Sequence, residues 1–363
     1  MALQHPDGGG FEFTRRLRSV SDRDARRMHE SFVAPALAFD GDEMGDRLLF
    51  PLEMTWFYGE PVYESLGAAE RIKLNRLTFC QSYLSTAVAE AATNVLNYEA
   101  ALSALTYDDA DAGEYMAREV VEETTHIQSF LIVIRKVLAH YGLTLEELRA
   151  TNVSLPLATR YTQAHSVLGW VLGDLNFYYF TRFAMNVNQK TVERCTIDEP
   201  DMHPDVREIL RHHAIDEARH MQMSRGTGKV ALERMRARWM RNLACIGYAR
   251  FAARLYIGRH RRDGSLQAGT RIRTLMLCGV EEPRAREAYR QWRDRVNQPD
   301  DPPLVQSARL YYVKQNFAYI DELDVSDSIR SYMKRAISAT YGDVIRAERE
   351  GGLRPLELGE LRR

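Results

Sequence analysis

The stretch HHAIDEARH, residues 212–220, decides how this chain is read. A helix turns about 100° and rises about 1.5 Å per residue, so His213, Glu217 and His220 fall on one stripe, with His220 two turns beyond His213. Three such side chains on one face can converge on a metal ion. The alternative is a half-exposed charged helix that merely carries histidines. Working outward, Glu-x-x-His recurs once more, as Glu123-Thr124-Thr125-His126 within EYMAREVVEETTHIQSF, residues 114–130. Among ten histidines a single match is expected by chance. Context therefore counts for more than number. Each motif lies well inside its own helical segment, each is preceded by a second acid (Glu122, Asp216), and each segment follows another long helix across a short breaker.

Helical periodicity dominates the rest of the chain. Segments without proline run over roughly 70–106, 112–142, 159–196, 204–224 and 227–258, and further helices read at about 283–296, 303–320 and 326–349. Breakers such as YDDADAG, HYGLT and TIDEPDMHP fall where a bundle places its turns. No sustained alternation or Asn-Gly hairpin marks a strand. The expected architecture is all-α, a helical bundle with additional peripheral helices. One metal-binding domain is expected over 1–349, with its core at about 70–225, C-terminal helices over 227–349 and a flexible tail at 350–363; residues 1–10 also read as a mobile end.

Composition narrows the classes. At 363 residues, 45% hydrophobic and 27% charged, the chain can bury a sizeable core. Its net charge of −1 gives no global field for nucleic acid or an anionic membrane. Four scattered cysteines without a CxxC argue for a reducing compartment. The start MALQHPDGGGFEF lacks a signal-peptide pattern. In SVLGWVLGDLNFYYFTRFAM, Asp174 and Arg182 interrupt the apolar run, so a buried helix is expected there rather than a membrane span. A cytoplasmic location is the expectation. SRGTGKVAL lacks the first glycine of a P-loop, since Met223 stands there.

Two Glu-x-x-His helices, with one acid from each of two further helices, is the arrangement of carboxylate-bridged dinuclear iron or manganese sites. The bridging acids offset repulsion between two close divalent ions, and imidazoles complete the coordination. The first helix offers Glu90 and Glu99, about 180° apart. Glu90 is preferred because Thr86, Ala87, Thr93 and Asn94 on its face leave room for metals; Glu99, beside Val95 and Leu102, is the alternative. The third helix has no acid in 175–192. Asn186 occupies the position where an antiparallel partner should place its ligand, and Glu193 is expected on the same stripe, about 10 Å nearer the loop. Glu122 and Asp216 are expected either to orient the histidines or to face solvent. The run FYYF, 177–180, reads as core rather than substrate pocket.

At this point the sequence resembles the p-aminobenzoate N-oxygenase family, di-iron arylamine oxygenases of antibiotic biosynthesis with a ferritin-like core. That family's ligand pattern is Glu, then Glu-x-x-His, then Glu, then His-x-x-x-Glu-x-x-His. It is similar here at Glu90, Glu123, His126, His213, Glu217 and His220, and departs at Asn186; the resemblance covers roughly 70–225. It implies two iron ions (manganese or a mixed iron–manganese pair suits the same donors), dioxygen as cosubstrate, an amine or amino-acid-like substrate and an external electron donor, with a homodimer left open. The reaction implied is oxygen transfer to an amine nitrogen. A di-iron enzyme acting on C–H bonds and a non-catalytic helical protein with a degenerate site are the alternatives.

Overall fold

The computed structural model describes residues 28–108, 110–152, 155–172, 176–196, 199–235, 237–254, 266–295 and 301–353. Both expected mobile ends lie largely outside that set, as do residues 173–175, including Asp174. No strand occurs among the described residues; one isolated bridge joins Leu48 to Met202.

The helices are α1 Ala34–Ala38, α2 Pro61–Glu64, α3 Ala68–Ser103, α4 Ala110–His140, α5 Leu145–Thr151, α6 Leu155–Leu172, α7 Asn176–Arg194, α8 Pro204–Arg234, α9 Arg238–Ala252, α10 Leu266–Leu277, α11 Glu282–Arg295, α12 Pro303–Glu322 and α13 Asp327–Arg349. Four of them build the centre of the bundle. Short connections make α3 antiparallel to α4 and α7 antiparallel to α8. Contacts of His126 with Asp216 and of His220 with Glu122 show that α4 and α8 also run antiparallel across the bundle. Pro204 opens α8 at its first turn, where a missing N–H costs nothing.

Two apolar cores flank this centre. The first joins α3, α4 and the start of α8 to the segment around Phe57 and Tyr63 and to Leu275, Tyr289 and Trp292 of α10 and α11. The second joins Phe180 and Phe183 of α7 to Tyr248, Tyr312, Tyr319 and Ile337 of α9, α12 and α13. The FYYF residues thus divide: Tyr178 and Phe180 are buried, while Phe177 is half-buried and stacks on His165.

The expected boundaries need three corrections. The single segment over 159–196 is two helices, α6 and α7. The break expected between 224 and 227 lies instead after Arg234. Gly228 does not end a helix; a Cβ there would sit 2.3 Å from the Tyr319 hydroxyl and 3.3 Å from the Tyr179 carbonyl, so the glycine permits close approach of α7 and α12. Helix α10 was not expected from periodicity. Among the described residues no helix is long and apolar enough to cross a membrane.

Candidate metal centre

Glu90 of α3, Glu123 and His126 of α4 and His213 of α8 are all buried, each with a ligand atom within 4.8 Å of the others'. Glu119, Glu123 and His220 form a second such group. Glu123 belongs to both. Its Oε2 lies 3.3 Å from His126 Nδ1 and its Oε1 3.1 Å from His220 Nδ1. Glu217 also reaches both sides, 3.4 Å from His220 Nδ1 and 3.7 Å from His213 Nε2. The rings of His126 and His213 are 4.3 Å apart and those of His126 and His220 6.4 Å apart, so the three imidazoles share one cluster.

Each histidine turns one nitrogen to this cluster and the other to a buried acid outside it. His126 Nε2 donates to Asp216 at 3.0 Å, and His220 Nε2 donates to Glu122 at 3.0 Å. His213 Nε2 donates to Glu90 at 3.0 Å, and its Nδ1 donates to Glu193. A carboxylate on the outer nitrogen fixes the ring's rotation and raises its basicity. Arg219 bridges two of these acids, 2.6 Å from Asp216 and 3.2 Å from Glu122. Phe32 lies 4.5 Å from the His126 ring and Phe130 lies edge-on to His213 at 5.0 Å, which closes that side to water.

Acids and imidazoles shift one another's protonation across the cluster. Burial and the neighbouring His213 work against charge on His126, yet Asp216 and Glu123 carry its pKa up to about 9. Burial likewise opposes charge on His213 and His220, but Glu193 and Glu90 hold the first, and Glu123 and Glu122 the second, well above the usual imidazole value. Burial and the charge on Glu123 push Glu90 up to about 7. Burial acts to raise Glu123 too, but the imidazoliums of His220 and His126 hold it below the ordinary carboxylate range.

A count of fixed charge tests whether metal ions fit. Glu90, Glu119, Glu122, Glu123, Glu193, Asp216 and Glu217 are buried acids here, against the buried cations Arg182, Lys190 and Arg219. With neutral imidazoles four negative charges remain, which two divalent cations neutralise. Glu90 Oε2 and Glu119 Oε2, one in each ligand group, are buried without a hydrogen bond, so acceptor capacity stands unused in both groups. The donors, carboxylate and imidazole, suit iron and manganese.

The expected residues therefore separate. Glu90, Glu123, His126, His213, Glu217 and His220 come together. Glu99 does not: it is exposed and accepts a hydrogen bond from Ser166 Oγ at 2.9 Å. The expected remoteness of Glu193 is corrected, since it touches His213. The α7–α8 register explains this. Glu193 meets His213, Lys190 Nζ donates to the Ala214 carbonyl, and the Tyr179 carbonyl abuts Gly228. That register sets Asn186 level with His220 rather than opposite Glu217. Asn186 is buried, and among the described residues it makes no hydrogen bond to the acids or imidazoles of the cluster. Glu119 and Arg182 were missed. The available signal was the stripe Glu119-x-x-x-Glu123-x-x-His126, which repeats the spacing of His213, Glu217 and His220.

A cavity of about 230 Å³ lies beside the centre, walled by Phe50, Trp56, Tyr83 and Trp292 and by polar groups of α3 and α7. Thr86 Oγ1 donates to Gln189 Oε1 at 3.4 Å, and Gln189 Nε2 donates to Glu193 at 2.7 Å, so the cavity wall connects by hydrogen bonds to His213. Gln81, Tyr83 and Asn188 are among its lining residues.

A family model described as p-aminobenzoate N-oxygenase AurF matches residues 18–298. No curated protein and no solved structure matches the chain.

Proposed function

Because the chain belongs to the p-aminobenzoate N-oxygenase AurF family, whose model spans most of it, we propose that the buried cluster holds two iron ions. With dioxygen, the protein would oxygenate the nitrogen of a small-molecule amine. The observation that carries this reading is the sharing of Glu123 by two ligand groups, since a shared carboxylate offsets the repulsion between two close divalent ions in helical dinuclear sites. Glu90, Glu123, His126, His213, Glu217 and His220 would hold the ions. When bound, ferrous ions supply the capacity to reduce dioxygen, and an external donor renews the electrons.

The chain's own residues do the positioning. Asp216, Glu122 and Glu193 keep one nitrogen of each histidine turned to the cluster. Phe32 and Phe130 exclude water from the imidazoles. The cavity receives the amine, with its aromatic walls against the substrate's body and polar side chains of α3 and α7 beside it. Placement of the nitrogen, rather than the ligand set, selects N- over C-oxygenation.

Anaerobic ferrous titration, followed by oxygen-18 gas and a panel of aryl and alkyl amines, tests this. Two ions per chain and label on nitrogen are expected. Protein that takes up no ferrous ion contradicts the reading, and label on carbon replaces it with C–H oxidation.

A further inference from the structure

We propose that Glu119 is a ligand of the ion at His220, supplied by α4 where α7 presents no acid. This rests on the two-ion reading above. The register places Asn186, an uncharged amide, level with His220, which leaves that end of the cluster one carboxylate short. Glu119 stands there instead. It is buried, and a ligand atom of it lies within 4.8 Å of those of Glu123 and His220. Its two oxygens are differently employed. Oε1 accepts from Asn97 Nδ2 at 3.2 Å and pairs with the buried Arg182 guanidinium. Oε2 has no hydrogen bond. A carboxylate anchored through one oxygen with the other buried and unused is how an oriented ligand is presented before an ion arrives.

Arg182 and Asn97 are positioning residues in this scheme. Asn97 is itself fixed by the Tyr178 hydroxyl, which donates to its Oδ1 at 2.7 Å. Arg182 needs no release for an ion to bind, because the ion takes the other oxygen. Helix geometry supports the assignment: Glu119, Glu123 and His126 repeat, at the same i, i+4, i+7 spacing, the placement of His213, Glu217 and His220.

The test is anaerobic calorimetric titration of the full chain with ferrous ion. Wild type should take two ions. Glu119→Gln combined with Arg182→Gln removes both charges of the buried pair, so the fold is not left with an unpaired ion. It should bind one ion with wild-type affinity and the second at least tenfold more weakly. Glu119→Asp keeps an anion opposite Arg182 but shortens its reach, and it too should weaken only the second ion. Manganese-loaded samples give an independent reading by electron paramagnetic resonance, a spin-coupled pair in wild type and an isolated ion in the double variant at the same loading. Two ions at wild-type affinity in both variants, or loss of both ions together, would overturn the proposal. Wild type that binds a single ion overturns this inference alone, whereas wild type that binds none removes the function on which it rests.

Discussion

Helices α4 and α8 carry the same pattern with one exchange. On α8 the stripe opens with an imidazole, His213; on α4 it opens with a carboxylate, Glu119. Helix α7 answers each with its complement, Glu193 to the imidazole and Arg182 to the carboxylate. Helix α3 does the same, with Glu90 against His213 and Asn97 against Glu119. The His213 end is therefore rich in acids, while the Glu119 end is partly neutralised by a guanidinium whose pKa burial lowers only to about 10, so it remains cationic at neutral pH. The comparison teaches that α7 would orient ligands rather than supply them, and that two ions would meet unequal surroundings.

The largest effect should come from the residue the two ends share. Glu123→Ala should abolish stoichiometric binding of both ions while circular dichroism shows helical content nearly intact, because Glu123 joins both groups. Retention of two ions would show that the ends are independent. Next in size, Glu193→Gln removes the acid behind His213 alone. It should weaken the ion at that end about 10–100-fold, the usual cost of losing such a partner, and leave the other ion unchanged. Equal weakening of both ions in a calorimetric titration would erase the distinction between the ends.

Much of this comparison was legible in the sequence, and the part that was not has a physical cause. Helical periodicity is local, so the all-α architecture and both Glu-x-x-His stripes could be read directly. The small residues around Glu90 mark a face that the structure buries, while Glu99 is left exposed on the other. The register between α7 and α8 is not local. It depends on the path of the connection over 195–203, and an offset of one turn moves the partner of His213 onto Glu193 and leaves Asn186 opposite His220. Glu119 escaped notice because a pattern keyed on histidine does not register a carboxylate in the equivalent place. The pairing of Arg182 with it exists only in three dimensions.

A smaller, pH-dependent effect separates the metal-free from the loaded protein. His126 titrates at about 9 when folded, and His213 and His220 are also raised. A group whose folded pKa is raised contributes stability fully below its unfolded value, about 6.5 for histidine, and loses it as pH rises through the folded value. Glu90, raised to about 7, adds a loss of the same sign at lower pH, between its ordinary carboxylate value and about 7. The metal-free chain should therefore lose stability between about pH 6.5 and 9. Bound ions displace these protons and should flatten the dependence. Denaturant midpoints measured across that window, with and without ferrous ion, check it; parallel curves would mean that ions and protons do not compete for these side chains.

The smallest effect should come from Glu99, which sits on α3 about half a turn of azimuth from Glu90. Its carboxylate faces the bundle exterior and accepts only the Ser166 hydroxyl at 2.9 Å among the described contacts. Glu99→Gln keeps the shape and an acceptor oxygen, so the change in stability should stay within about 0.5 kcal/mol, as for most exposed substitutions. Ferrous affinity at both ends should be unchanged. Glu90→Gln, by contrast, removes the charge opposite His213 Nε2 and should weaken the ion at the acid-rich end. If Glu99→Gln instead reduced ferrous affinity tenfold, α3 would have to present its other face to the bundle interior, and the pairing of Glu90 with His213 would no longer define that end.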